Sequence, residues 1–145
     1  MHLPSQLAPS LLRETRTGGT VRIIIVDDDY YTCQTLSRFL EAKGFSTQVH
    51  NTIADAVPTL LAEDFDLMLL DYHLPGVDGS DALPIIHEVA PELPVIMMMN
   101  KATRENREMA LRAGAFCILQ NPVNHRALLR AIRSTHPAPR AKVSK

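Results

Sequence analysis

Cysteine is scarce in this chain. Only Cys33 and Cys117 occur, each in an apolar-periodic stretch and neither in a Cys-x-x-Cys or zinc-type spacing. That argues against a disulfide framework or a structural zinc site, and both thiols read as reduced core residues. A dominant charge is lacking too. Lys and Arg number 15 against 16 Asp and Glu, for a formal net charge of -1. No global field then favours a nucleic acid or an anionic membrane, and no direct nucleic-acid partner is expected. Long apolar runs are also missing: none approaches the ~18 residues needed to cross a bilayer. The start, Met1-His2-Leu3-Pro4, has neither the basic nor the apolar region of a secretory signal. The expectation is a cytoplasmic chain without membrane contact.

What is present suits one core: 145 residues, 46% hydrophobic and 21% charged. Residues 1–20, with Pro4, Pro9, Gly18 and Gly19, read as a flexible arm. Leu3, Leu7, Leu11 and Leu12 could form a docking stripe there, although Pro9 interrupts it. Residues 21–134 read as the folded domain and 135–145 as a flexible tail. Arg126, Arg130 and Arg133 share one face of the last helix, and Arg140, Lys142 and Lys145 follow. They could form a DNA-facing stripe, but at near-neutral net charge a solvated helix face and a disordered end are the favoured reading.

Two apolar runs stop abruptly at acid. Leu67 to Leu70 is bounded by Asp66 and ends at Asp71, before Pro75-Gly76; such a run reads as a strand buried on both faces, which belongs in a parallel sheet. Val21 to Val26 likewise runs into Asp27-Asp28-Asp29. Open α/β sheets place ligands at the carboxyl ends of their strands. If the two strands are neighbours, at least three carboxylates converge. Crowded like charges raise one another's pKa, and a hard divalent cation held by oxygen relieves them. A helix N-cap would need only one of the three.

Helical and strand patterns alternate along the rest of the chain. Cys33, Leu36, Phe39 and Leu40 recur at helical spacing, and Lys43-Gly44 is a stop signal. Phe45 to His50 reads as a strand. Thr52 with Asp55 resembles a capping box for a helix carrying Ile53, Ala56, Val57, Leu60 and Leu61, which Pro58 should delay or kink. Ser80 is the expected cap of a third helix with Leu83, Ile85, Ile86 and Val89, its first turn made irregular by Pro84. Pro94 to Met99 is a fourth strand, Thr103 to Ala113 a helix closed by Gly114, and Phe116 to Leu119 a fifth strand. Asn124 caps a last helix with Leu128, Leu129 and Ile132 inward.

Five such alternations with short links indicate an α/β, doubly wound, five-stranded parallel sheet. The common order 2-1-3-4-5 brings the ends of strands one and three together, and with them Asp27, Asp28 and Asp71.

With these residues in view, Val21 to about Arg133 resembles the receiver domain of bacterial response regulators. The shared features are Ile25-Val26-Asp27-Asp28-Asp29, Leu69-Leu70-Asp71 followed by Leu74-Pro75-Gly76-Val77-Asp78-Gly79, and Ala113-Gly114-Ala115. The resemblance implies a flavodoxin-like receiver fold in a two-component phosphorelay. Asp71 would accept a phosphoryl group from a sensor histidine kinase or a histidine phosphotransfer protein. Mg2+ would be held by Asp28, Asp71 and the backbone carbonyl of His73, with Asp27 acting through water. Such a domain is not an enzyme beyond its own phosphorylation and dephosphorylation. A homodimer or a downstream protein would use the face of the fourth helix, fifth strand and fifth helix.

The chain departs from the family at its switch positions. Met99 and Asn100 stand where the family carries Thr or Ser and then a small residue; Asn121 replaces the Lys before proline, and Ile118 an aromatic. Met99 cannot donate a hydrogen bond, and a neutral Asn121 donor is worth ~0.5–1.5 kcal/mol against ~1.5–3 for a charged one. Asn100 could supply an amide and Lys101 an ammonium in their place; alternatively both are ordinary loop residues. These departures motivate a second reading, a pseudo-receiver that binds partners without phosphorylation. Other chemistry fits less well. Asp27 to Asp29 would repel a flavin phosphate, and an Asp-nucleophile phosphatase would have a second Asp where His73 stands.

Overall fold

The computed structural model describes residues 19–135; the arm with its leucine stripe and the tail beyond Thr135 lie outside them. Helices and strands alternate in the order β1 (Arg22–Val26), α1 (Tyr30–Ala42), β2 (Ser46–His50), α2 (Ile53–Ala62), β3 (Leu67–Asp71), a short ribbon β4 (His73–Leu74) and β5 (Val77–Asp78), α3 (Gly79–Val89), β6 (Val95–Met99), α4 (Arg104–Ala113), β7 (Cys117–Gln120) and α5 (His125–Thr135).

The main sheet is parallel with order β2-β1-β3-β6-β7. Leaving aside the ribbon, this is the expected order 2-1-3-4-5. β3 and β6 are buried along their whole length, as their unbroken apolar runs require. Alternate side chains feed two cores, because successive residues of a strand point to opposite faces. Ile23, Ile25, Leu67, Leu69, Ile96 and Met98 meet Cys33, Leu36 and Leu40 of α1 and Leu128 and Ile132 of α5. Ile24, Val26, Met68, Leu70, Met97 and Met99 face α2, α3 and α4 on the other side.

Side-chain caps open four helices, Thr52 and Asn124 as expected and Thr103 at a helix that starts one residue later than expected. Asp29, Thr52 and Thr103 accept from the backbone N–H three residues on, and Asn124 Oδ1 accepts from Ala127 N at 2.9 Å. Gly114 closes α4 at φ 116, a conformation that favours glycine.

Five expectations need correction. Leu61 is not on the apolar face of α2: Ala56 and Leu60 form the buried stripe, and Leu61, about 100° around the helix from Leu60, is 68% exposed. Ser80 is not the cap of α3: Asp78 is the last extended residue, held by the pairing of β4 with β5, so the helix starts at Gly79 and Ser80 lies buried in its first turn. Ile85 does not point inward. Ala82, Leu83 and Ile86 occupy the buried stripe, and Ile85, two positions from Leu83 and thus about 200° around the helix, is 45% exposed. Pro58 does not delay its helix, and Pro84 leaves the first turn of its own regular. Pro58 and Pro84 lie inside α2 and α3. Pro58 is on the exposed side, and the Ala54 carbonyl that loses its partner one turn back is in an exposed residue open to water. Cys117 is only half-buried, whereas Cys33 is buried; both are free thiols.

Candidate functional site

The register of β1 against β3 builds the site. Val26 pairs with Leu70, so the next residue of each strand, Asp27 and Asp71, emerges at the same carboxyl edge. Asp28 follows as an exposed residue. One carboxylate oxygen from each of Asp27, Asp28 and Asp71 can be chosen so that all lie within 4.8 Å of one another. They line a cleft of about 370 Å³ with Asp29, Thr32, His73, Asn100, Asn121 and Pro122.

Backbone bonds fix the acidic groups. Asp27 N donates to His50 O at 3.1 Å, and the Asp27 carbonyl accepts from Asn51 Nδ2 at 2.9 Å and from Cys33 Sγ at 3.2 Å. The Asp27 carboxylate in turn accepts from Asp29 N at 2.9 Å. Asp71 Oδ1 accepts from His73 N at 3.2 Å, and Tyr72 N is tied to Met98 O at 2.8 Å.

Electrostatics confirm the crowding. Burial, aided by the charges of Asp71, Asp28 and Asp29, pushes the Asp27 carboxyl up to about 7, against the opposing pull of the Asp29 amide. Asp71 is raised as well, first by burial and then by Asp28, while the His73 amide pulls the other way. Burial and the nearby carboxylates push the Cys33 thiol up to about 12, so it is a neutral neighbour and not a thiolate ligand.

The three consecutive acids divide their work. Asp27 and Asp28 belong to the cluster, whereas Asp29 is the N-cap of α1; it accepts from the amide and hydroxyl of Thr32, which hold its carboxyl below the usual range. Asn100 and Asn121 line the cleft, and Asn121 N donates to Met99 O at 2.7 Å. Met99 is fully buried in the core and Ile118 is 9% exposed. Lys101 is exposed and is not among the residues lining the cleft.

Sequence reasoning missed Asn51, Thr32 and Pro122. Thr32 was open to detection, since Asp29-x-x-Thr32 places a hydroxyl one turn into α1. Asn51 carries no local signal; it reaches Asp27 across 24 positions of sequence through the pairing of β1 with β2.

The donor set suits a hard divalent cation: carboxylate oxygens within 4.8 Å of one another, two of them in buried residues and disfavoured as free anions. No helix among the described residues is long and apolar enough to cross a membrane.

Residues 23–133 match the response regulator receiver domain. Over 113 residues the chain is 34% identical to the transcriptional regulatory protein CpxR of Escherichia coli K12, covering 78% of this chain and 48% of that protein. It is 32% identical to the CpxR homolog of Haemophilus influenzae, with coverage of 78% and 49%. The chain spans about half the length of these curated relatives. The crystal structure of a CheY-like receiver domain protein from Methanospirillum hungatei superposes with a TM-score of 0.76 at 30% identity, covering 88% of this chain and 100% of that one. A receiver fold, an acidic cleft at the strand ends and a family match over most of the domain agree: the chain belongs to the response regulator receiver domain family of two-component signalling.

Proposed function

We propose that this domain accepts a phosphoryl group on Asp71 from a phosphohistidine of a sensor kinase or a phosphotransfer protein. The observation that carries the reading is the convergence of Asp27, Asp28 and Asp71 on one cleft. Asp71 Oδ attacks phosphorus, the P–N bond breaks with its electron pair returning to the imidazole, and an acyl phosphate forms. Water later attacks phosphorus, the bond to Asp71 breaks and inorganic phosphate leaves. Asp28, Asp71 and the His73 carbonyl would hold Mg2+, with Asp27 contributing through water; bound there, the cation supplies neutralisation of charge developing on the phosphoryl oxygens. The His73 amide orients Asp71 at 3.2 Å, and Asn100 and Asn121 line the space where phosphoryl oxygens would sit.

Two substitutions favour a second reading, a partner-binding module that works without phosphorylation. Met99 is sealed in the core with no donor, and Asn121 gives the cleft an amide in place of an ammonium. In both readings the α4–β7–α5 face is where a second copy or a downstream protein would dock. One experiment separates them: incubate the protein with acetyl phosphate and Mg2+ and weigh it intact. Addition of one phosphoryl mass, absent in Asp71→Asn, supports transfer; an unchanged mass supports the second reading.

A further inference from the structure

The near-neutral total conceals a segregation of charge. Residues 19–100 hold thirteen Asp and Glu against three Lys and Arg, whereas residues 101–145 hold ten Lys and Arg against two Glu. β7 is an edge strand, and α4 and α5 both pack against it. Among the described residues 101–135, seven Lys and Arg stand against Glu105 and Glu108, so basic charge collects at one edge of the sheet and most of the acidic residues sit on the elements of the other strands.

The charge of one sign is purest on α5. Arg126, Arg130 and Arg133, spaced four and three apart, form one exposed stripe opposite the buried Leu128 and Ile132. The helix has no Asp or Glu, and no guanidinium of the three pairs with a carboxylate among the described residues. The stripe covers about 10 Å of helix. With Arg140, Lys142 and Lys145 following in the sequence, residues 126–145 contain six Lys and Arg and no acid.

Three features select the occupant. None of the exposed large apolar side chains belongs to α5; Met109, Leu111 and Phe116, which could anchor a protein on the α4–β7–α5 face, lie on α4 and before β7, so the arginine stripe itself offers no hydrophobic anchor. Protein interfaces fix register by complementary patterns of charge, and a row of one sign matches instead a polymer of repeating negative charge. The helix carries no Phe, Tyr or Trp, and its one imidazole, His125, is already stacked on Phe39, which disfavours a single strand. Guanidinium is also the side chain whose geometry suits bidentate phosphate contact.

We propose that the α5 arginine stripe docks on the phosphate backbone of duplex DNA without reading sequence, the acidic half of the domain being turned away by its own field. The contact does not involve Asp71. The test uses the full chain and a fluorescent random-sequence duplex, with anisotropy followed across a salt titration. Binding is expected at about 50 mM salt, weakening as salt rises. The variant Arg126→Gln/Arg130→Gln/Arg133→Gln should bind at least about tenfold more weakly, with the slope of log affinity against log salt reduced by about 2.7; Arg130→Gln alone should reduce it by about 0.9. Asp71→Asn should bind as the unaltered chain does, which separates this inference from the phosphoryl-transfer reading. Absence of binding by the full chain overturns the proposal. So does undiminished binding by the triple variant, or equal binding of a polyglutamate probe, which would assign the stripe to an acidic protein.

Discussion

Asp27 and Asp71 stand side by side because Val26 and Leu70 are partners in the β1–β3 ladder. Both are buried, at 2% and 6% exposure. A parallel sheet thus sets two largely buried carboxylates beside each other at the floor of the cleft, and Asp28 adds a third at the rim. The fold spends stability on this arrangement, and the deficit is recoverable by a cation.

The first prediction concerns pH. The folded-state pKa of Asp27 is raised to about 7 and that of Asp71 is also raised. In the unfolded chain both titrate near ~3.9. A raised carboxyl contributes stability that is fully present below the unfolded value and is lost as pH rises through the folded one. Metal-free protein should therefore lose melting temperature from about pH 4 to above pH 7, the reverse of a salt-bridged carboxylate. Mg2+ should restore it most at the alkaline end. Asp27→Asn should stabilise the metal-free protein at pH 8 by about 1–3 kcal/mol while weakening the response to Mg2+. Melts in EDTA and in Mg2+ across this range decide it; a flat metal-free profile would contradict the reading of the pair.

Much of this site was legible in the sequence because burial and chemistry coincide there. An apolar run ending in a lone acid marks Asp71, and the same pattern marks Asp27. What local pattern cannot convey is a choice that depends on another element. Ser80 looks like a cap until the β4–β5 ribbon holds Asp78 extended and Gly79 N bonds to Tyr72 O at 2.7 Å, starting the helix earlier. Ile85 is apolar and near the right spacing, yet it falls outside the stripe that Ala82, Leu83 and Ile86 define. Asn51 joins the site only because β2 lies beside β1.

Gly79 is where the loop after Asp71 rests on the core. A Cβ there would collide with Met97 Sδ and approach the Tyr72 Cα to 3.0 Å. Met97 is fully buried and Tyr72 is backbone, so neither can yield freely. Gly79→Ala should cost about 1–3 kcal/mol. Chemical denaturation measures the loss, and a change below 0.5 kcal/mol would show that the core gives way more easily than its packing suggests.

Lys101 is exposed and stands outside the lining of the acidic cleft. A side chain of this kind must give up rotamer freedom to swing over the site, and an exposed ion contact returns ~1 kcal/mol or less. Lys101→Ala should leave the rate of phosphorylation and the lifetime of the phosphoryl group within about twofold of the unaltered values. A tenfold slowing would restore Lys101 as the surrogate for the family lysine.

Asn121 offers the complementary test, because it does line the cleft. Its amide can donate to a phosphoryl oxygen but brings no charge, and the difference between a neutral and a charged hydrogen bond is about 1 kcal/mol or more. Asn121→Lys should accelerate labelling of Asp71 by acetyl phosphate about tenfold. It should also raise metal-free stability above pH 7, since an ammonium near Asp27 and Asp71 favours their ionised forms. The two effects have one electrostatic origin and must appear together. Faster labelling without the stability gain would mean that the lysine acts on the phosphodonor and not on the carboxylates, and neither effect would mean that the ammonium turns outward to solvent.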